Sequence, residues 1–167
     1  TQYLKYLINC NKERGYNIIK LLFKKYPEVR DSLEGIRFVA NIQNLIPKED
    51  AQNFIKSYNN SSWVDGKQAY GELLVFRYIQ YREEWCKDLI HQLLKHAYFS
   101  RKNNRNIIIG MVYTTVTHWT LYKFRDIITP ILIKIAGISD ERISYALSDV
   151  FRSREPFPSD EDTRKFF

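Results

Sequence analysis

Apolar residues in this chain return every three or four positions, and the runs that keep this period end on prolines, glycines or charged clusters. That spacing puts one apolar stripe on an α-helix, so it restricts the chain to helices packed on helices. Ile18, Ile19, Leu22 and Phe23 form a stripe that stops before Pro27. Leu33, Ile36, Val39, Ala40 and Ile42 form a second, opened by Asp31-Ser32-Leu33-Glu34, which resembles a capping box. Pro47 followed by Lys48, Glu49 and Asp50 suits a first helical turn, and Ala51, Phe54, Ile55 and Tyr58 follow at helical spacing. A loop is expected at Asn59-Asn60-Ser61-Ser62, with Asp65-Gly66 starting the next run.

From Lys67 to Tyr98 the period continues through Tyr70, Leu73, Leu74, Tyr78 and Tyr81, then Trp85, Leu89, Ile90, Leu93, Leu94 and Ala97. One uninterrupted helix of that length would be unusual, so a break is expected near Arg82-Glu83-Glu84, giving two antiparallel helices. Ile107 to Thr120 is ambiguous. Its isoleucines and threonines favour a strand, whereas Ile108, Val112, Val116 and Trp119 fit one helical face. Helix is preferred, because a lone strand would have no partner. Leu121 to Ala136 is interrupted at Thr129-Pro130, which either kinks one helix or caps a second, and Gly137 closes it. Ser139-Asp140-Glu141 opens another helix with Ile143, Ala146, Leu147, Val150 and Phe151 inward; Glu155-Pro156-Phe157-Pro158 is a connector before a further start at Ser159-Asp160-Glu161-Asp162.

The sum is nine or ten helices and no convincing strand. The expectation is an all-α chain, one helical-repeat unit over residues 1–167, built as stacked antiparallel helical pairs, with an irregular helical bundle as the alternative. The start at Thr1 and the apolar Phe166-Phe167 suggest a piece of a longer protein.

The stretch ITPILIKIAGISDERISYALSDVF, from Ile128 to Phe151, resembles a HEAT repeat: a proline in the first helix, an apolar run, Asp140 at the turn, then Ile143, Ala146, Leu147 and Val150 along the second. It departs from that pattern at Ser144, where the family often has an arginine. The resemblance implies a scaffold or recognition surface. QAYGELLVFRYIQYREEW together with VFRSREPFPSDEDT is also similar to helical-repeat regions attached to large bacterial ATPases of signalling and phage defence.

Catalytic signatures are missing from the sequence. The six glycines are scattered, no Lys-Ser or Lys-Thr follows a glycine run, and there is no Gly-x-Ser-x-Gly elbow. Any nucleotide hydrolysis by a parent protein is expected outside this segment. His91 and His96 diverge by about 140° on a helix, as do Cys86 and His91, so neither pair suits one metal. His118 beside Trp119 reads as a packed histidine, and Cys86 beside Trp85 as a small buried apolar residue. Glu49-Asp50, Glu83-Glu84 and Asp160-Glu161-Asp162 fall at helix starts, where negative charge meets the helix dipole. The expectation is a non-catalytic segment with no cofactor and no metal.

Cys10 and Cys86 lie far apart, with no disulfide framework, and a reducing cytoplasm is the default. No apolar run approaches the ~20 residues of a membrane span. Tyr70, Tyr78, Tyr81 and Trp85 could stack bases, but the same spacing defines a buried stripe, and core packing is preferred.

Charge leaves one candidate. The chain carries a net +7, and from Leu89 to Arg125 it has six Lys or Arg residues, all three histidines and no Asp or Glu. Lys95, Arg101, Lys102, Arg105, Lys123 and Arg125 would form a positive patch if successive helical pairs stacked them along one edge. The leading expectation is a scaffold or protein-recognition segment serving a protein partner or neighbouring domains of the same chain. Its rival is a basic module binding nucleic acid through that patch.

Overall fold

The computed structural model describes residues 6, 10–32, 35, 38, 39, 42, 46–60, 64–96, 104–120 and 124–152. Among them the chain is helical, with no strand. The expectations for Leu33, Ile36 and Ala40, and for everything from Ser153 onward, lie outside the described residues.

Helix α1 spans Lys12–Lys25, with the Asn11 side chain accepting from the Arg14 N–H as its N-cap. Pro27 stops it and opens the short α2, Pro27–Arg30. The buried face of α1 is Tyr16, Ile19 and Phe23 at i, i+3 and i+7, while Ile18 faces out. The four-residue cluster expected to point inward spans too wide an arc for all of it to meet the core. The cap after α2 also falls one residue later than the Asp-x-x-Glu box suggested. Ser32 Oγ accepts from the Gly35 N–H, and Asp31 instead takes Arg30 Nε at 2.5 Å.

Helix α3, Lys48–Ser57, begins behind Pro47, whose carbonyl accepts from the Asp50 and Ala51 N–H groups. It buries Ala51 and Ile55 and runs into a 3-10 turn, Tyr58–Asn60.

Helices α4, Val64–Tyr81, and α5, Glu84–His96, are separated at the break expected from the sequence. Arg82 takes φ 55°, the left-handed region that turns the chain sharply and is disfavoured for a side-chain-bearing residue by roughly 1 kcal/mol. A buried cluster holds this corner. Arg77 and Glu83, 2% and 4% exposed, pair through two contacts of 2.6 and 3.1 Å, and Trp85 Nε1 donates to the same carboxylate at 2.8 Å. The Arg82 guanidinium then lies 5.2 Å from the ring centre of Phe124, which has φ 60°. The two non-glycine residues with left-handed backbone among the described residues thus meet, joining one helix corner to the next.

Helix α6, Arg105–Thr120, settles the ambiguous stretch as helix. Ile108, Val112, Val116 and Trp119 are buried as expected, but so are Ile107, Met111 and Thr115, so the helix is covered around most of its circumference. Burial of that kind weakens the amphipathic period, and packing overrides the strand preference of its residues. Its most extensive contact is with α4. There Gly71 and Gly110 bring the two backbones together: a Cβ on Gly71 would lie 1.9 Å from the Ile107 carbonyl oxygen, and one on Gly110 would lie 1.9 Å from that of Gln68.

Helix α7, Arg125–Ala136, runs through Pro130 as one helix. Pro130 is its sixth residue and exposed, so the Asp126 carbonyl that loses its donor is near the helix start. Gly137 follows with φ −74°, an ordinary right-handed value. Helix α8, Glu141–Arg152, buries Ile143, Ala146, Val150 and Phe151. Both α7 and α8 pack on α6. No helix among the described residues is long and apolar enough to cross a membrane.

Glu72, half-buried on α4, has its pKa pushed by burial from 4.5 to about 7. The unfolded chain releases this proton near 4.5, whereas the folded chain keeps it until about 7. Stability is therefore fully present below 4.5 and falls as pH rises toward 7. Glu72→Gln is expected to remove that slope and, allowing for partial exposure, to stabilise the protein above pH 7 by on the order of 2 kcal/mol. Urea unfolding at several pH values measures both effects.

Candidate functional site

The acid-free stretch does not form one patch among the described residues. Lys95 is exposed near the end of α5, where it shares a shallow groove of about 500 Å³ with His91, Leu94, Lys134 and Gly137. Arg105, in the first turn of α6, is engaged within the fold: Nε and Nη2 reach Asp140 Oδ2 at 2.8 and 2.7 Å. Arg125, in the first turn of α7, lays its guanidinium 4.4 Å from the Trp119 ring centre and donates from Nε to the Trp119 carbonyl at 3.1 Å. Residues 105 and 119 are fourteen positions apart on one helix, a rise of roughly 21 Å. Arg105 and Arg125 therefore fasten opposite ends of α6 and do not share an edge. Arg101, Lys102 and Lys123 lie outside the described residues.

Asp140 serves two helices. Its Oδ1 accepts from the Arg142 and Ile143 N–H groups at 3.0 and 3.2 Å, capping α8, while Oδ2 holds Arg105. Burial alone would raise its pKa, but the hydrogen bonds from Arg105 and from those backbone groups outweigh it and keep the carboxyl below its ordinary 3.8. The stabilisation is present above 3.8 and is lost as pH falls through the lower folded value. Asp140→Ala removes cap and ion pair together and is expected to destabilise by about 2 kcal/mol. Asp140→Asn keeps a capping oxygen and should lose about half of that in the same urea titration.

The other sequence candidates resolve into packing. His118 Nδ1 lies 2.9 Å from the Thr114 carbonyl, so the proton sits on that nitrogen, and the ring meets Phe76 edge-on at 6.2 Å. Cys86 is buried, and burial pushes its thiol pKa up. Tyr70 is buried, and Tyr78 and Trp85 pack partly against the core. Tyr81 is exposed and has the Arg77 guanidinium 4.7 Å from its ring centre. Among the described residues no three His, Cys, Asp or Glu side chains gather as a metal site would need.

A different surface stands out where α6 meets α8. A groove of about 430 Å³ is lined by Gln68, Ile109 and Tyr113 on one side and by Glu141, Arg142, Tyr145 and Asp149 on the other, with Ala146 in its wall. Tyr145 is 71% exposed and Tyr113 37%. Glu141, Tyr145 and Asp149 follow at i, i+4 and i+8, so one face of α8 alternates carboxylate, aromatic ring and carboxylate. The inward set of α8 already left Tyr145 facing out. What the sequence did not signal is that Tyr113, from a helix covered on most sides, would stand across from it.

Comparison with protein-family models, with curated proteins and with solved structures finds no match for the chain.

Proposed function

We propose that the chain is a non-catalytic recognition module of stacked helical pairs, of the HEAT-like kind, that holds a basic segment of a protein partner or of a neighbouring domain. The observation that carries this reading is the α6–α8 groove: two exposed tyrosines flanked by Glu141 and Asp149 on a chain whose net charge is +7. Tyrosine faces attract guanidinium and ammonium groups, and Glu141 and Asp149 add directed ion pairs, outnumbering Arg142 among the charged residues of the lining. Stacking is supported by the way every second helix packs on the next, α4 on α6 and α6 on α8, with α5 against α4 and α7 against α6. The nucleic-acid reading is less well supported, because Arg105 and Arg125 are engaged by Asp140 and Trp119.

A labelled Arg- and Lys-rich peptide and a labelled DNA duplex, each titrated at two salt concentrations, separate these readings. The peptide is expected to bind, and Glu141→Lys combined with Asp149→Lys is expected to weaken it by about tenfold or more. A duplex that binds more tightly than the peptide, with a steep salt dependence lost in Lys95→Glu combined with Lys134→Glu, would sink the proposal.

A further inference from the structure

The cavity between α1 and α3 is lined by residues of a different kind from those of the groove. It measures about 330 Å³, close to the lower end of small-ligand sites, which begin at about 300 Å³. Its wall is aromatic: Phe23 and Phe54 stack at 6.1 Å and 24°, and Tyr16 meets Phe54 at 6.3 Å. Its rim is cationic, with Lys20, Lys24 and Arg30 against one lining carboxylate, Asp50. Lys20 holds both oxygens of that carboxylate at 2.8 Å. Arg30 is fixed by Asp31 at its Nε and lies 5.2 Å from the ring centre of Tyr58, leaving its terminal nitrogens with no hydrogen bond among the described residues.

Tyr16 supplies a second, independent observation. Its side chain lines the cavity and is only 2% exposed, yet its hydroxyl makes no well-formed hydrogen bond among the described residues. Burial, then the negative charge of nearby Asp50 and a weak hydrogen bond toward its carboxylate, raise its pKa, so it stays a neutral donor. A buried hydroxyl whose carboxylate neighbour is poorly placed for a full hydrogen bond is unfavourable in a folded protein and leaves room for a ligand atom to improve the bonding.

We infer that this cavity binds a small flat-ringed phosphate monoester of mononucleotide size, the ring against the partly exposed Phe54 and the phosphate held by Lys24 and Arg30. Stacking and charge are both needed, since neither a bare anion nor a bare ring uses the whole site. The site is separate from the α6–α8 groove and does not depend on how that groove is read.

Calorimetry on the full chain with adenosine monophosphate, adenosine and inorganic phosphate tests the assignment, with amide shifts in an NMR titration locating the site. The monophosphate is expected to bind at least about tenfold more tightly than either part alone, with shifts at Asn53, Phe54 and Ser57. Lys24→Glu, at an exposed position, should weaken it by about tenfold or more, and Tyr16→Phe should weaken it severalfold while leaving the unliganded melting temperature unchanged or higher. Binding no tighter than that of inorganic phosphate, affinity unchanged in Lys24→Glu, shifts confined to the Lys95 and Lys134 groove, or no binding up to about 5 mM would each overturn it.

Discussion

Gly110→Ala is expected to destabilise the protein by about 3 kcal/mol or more, although alanine is the better helix former by about 1 kcal/mol. The added methyl would lie 1.9 Å from the Gln68 carbonyl oxygen, and backbone cannot rotate away as a side-chain tip can. The helices α4 and α6 would have to separate along their whole contact, which is the most extensive among the described helices. Gly71→Ala meets the Ile107 carbonyl at the same distance and should have a similar effect. Since both substitutions open one crossing, the double variant should lose clearly less than the sum. Gly137→Ala is the control: its Cβ would find only ordinary contacts at 3.6 Å, and its φ of −74° suits any residue. That variant should be neutral or stabilised by up to about 1 kcal/mol. Urea unfolding followed by far-ultraviolet circular dichroism measures all four.

Glu83→Ala is expected to destabilise by about 3–5 kcal/mol, because it leaves the Arg77 guanidinium buried beside an emptied site and removes the partner of Trp85 Nε1. Replacing both charges, Arg77→Met with Glu83→Leu, should recover much of the loss, since a buried ion pair gains little over apolar residues of similar volume. The recovery should be incomplete: Trp85 still lacks its acceptor, and the α4–α5 corner, with Arg82 at φ 55°, has lost what holds it. Urea unfolding followed by far-ultraviolet circular dichroism measures both variants. A double variant as unstable as Glu83→Ala would contradict this description of the pair.

Helix positions followed from the sequence where a stripe ended on a breaker. Pro27, Pro47 and the Arg82-Glu83-Glu84 break fall where expected, because proline geometry and charged corners act locally. What could not be read were features that need two distant segments at once. Gly71 and Gly110 looked like scattered glycines, and only the crossing shows why a side chain is excluded from both. Arg77 sits in an apolar run and Glu83 in a charged corner, so their pairing was invisible until the turn closed. The basic stretch depends on distant segments in the same way. An acid-free run is acid-free only along the chain, and Asp140, fifteen residues beyond its end, folds back onto Arg105. The α1–α3 cavity escaped notice too, because Lys20, Lys24 and Arg30 are interspersed with acids in sequence, and Lys20 meets Asp50, thirty residues on, only in the fold.

Hydrogen exchange measured by mass spectrometry with and without a saturating Arg- and Lys-rich peptide tests the recognition reading most directly. Added protection is expected in the segments carrying Ile109, Tyr113, Tyr145 and Asp149, with the segments of His91, Lys95 and Lys134 unchanged. Protection centred on the His91, Lys95 and Lys134 groove, or no protection at saturation, would contradict the assignment of the α6–α8 groove as the recognition surface.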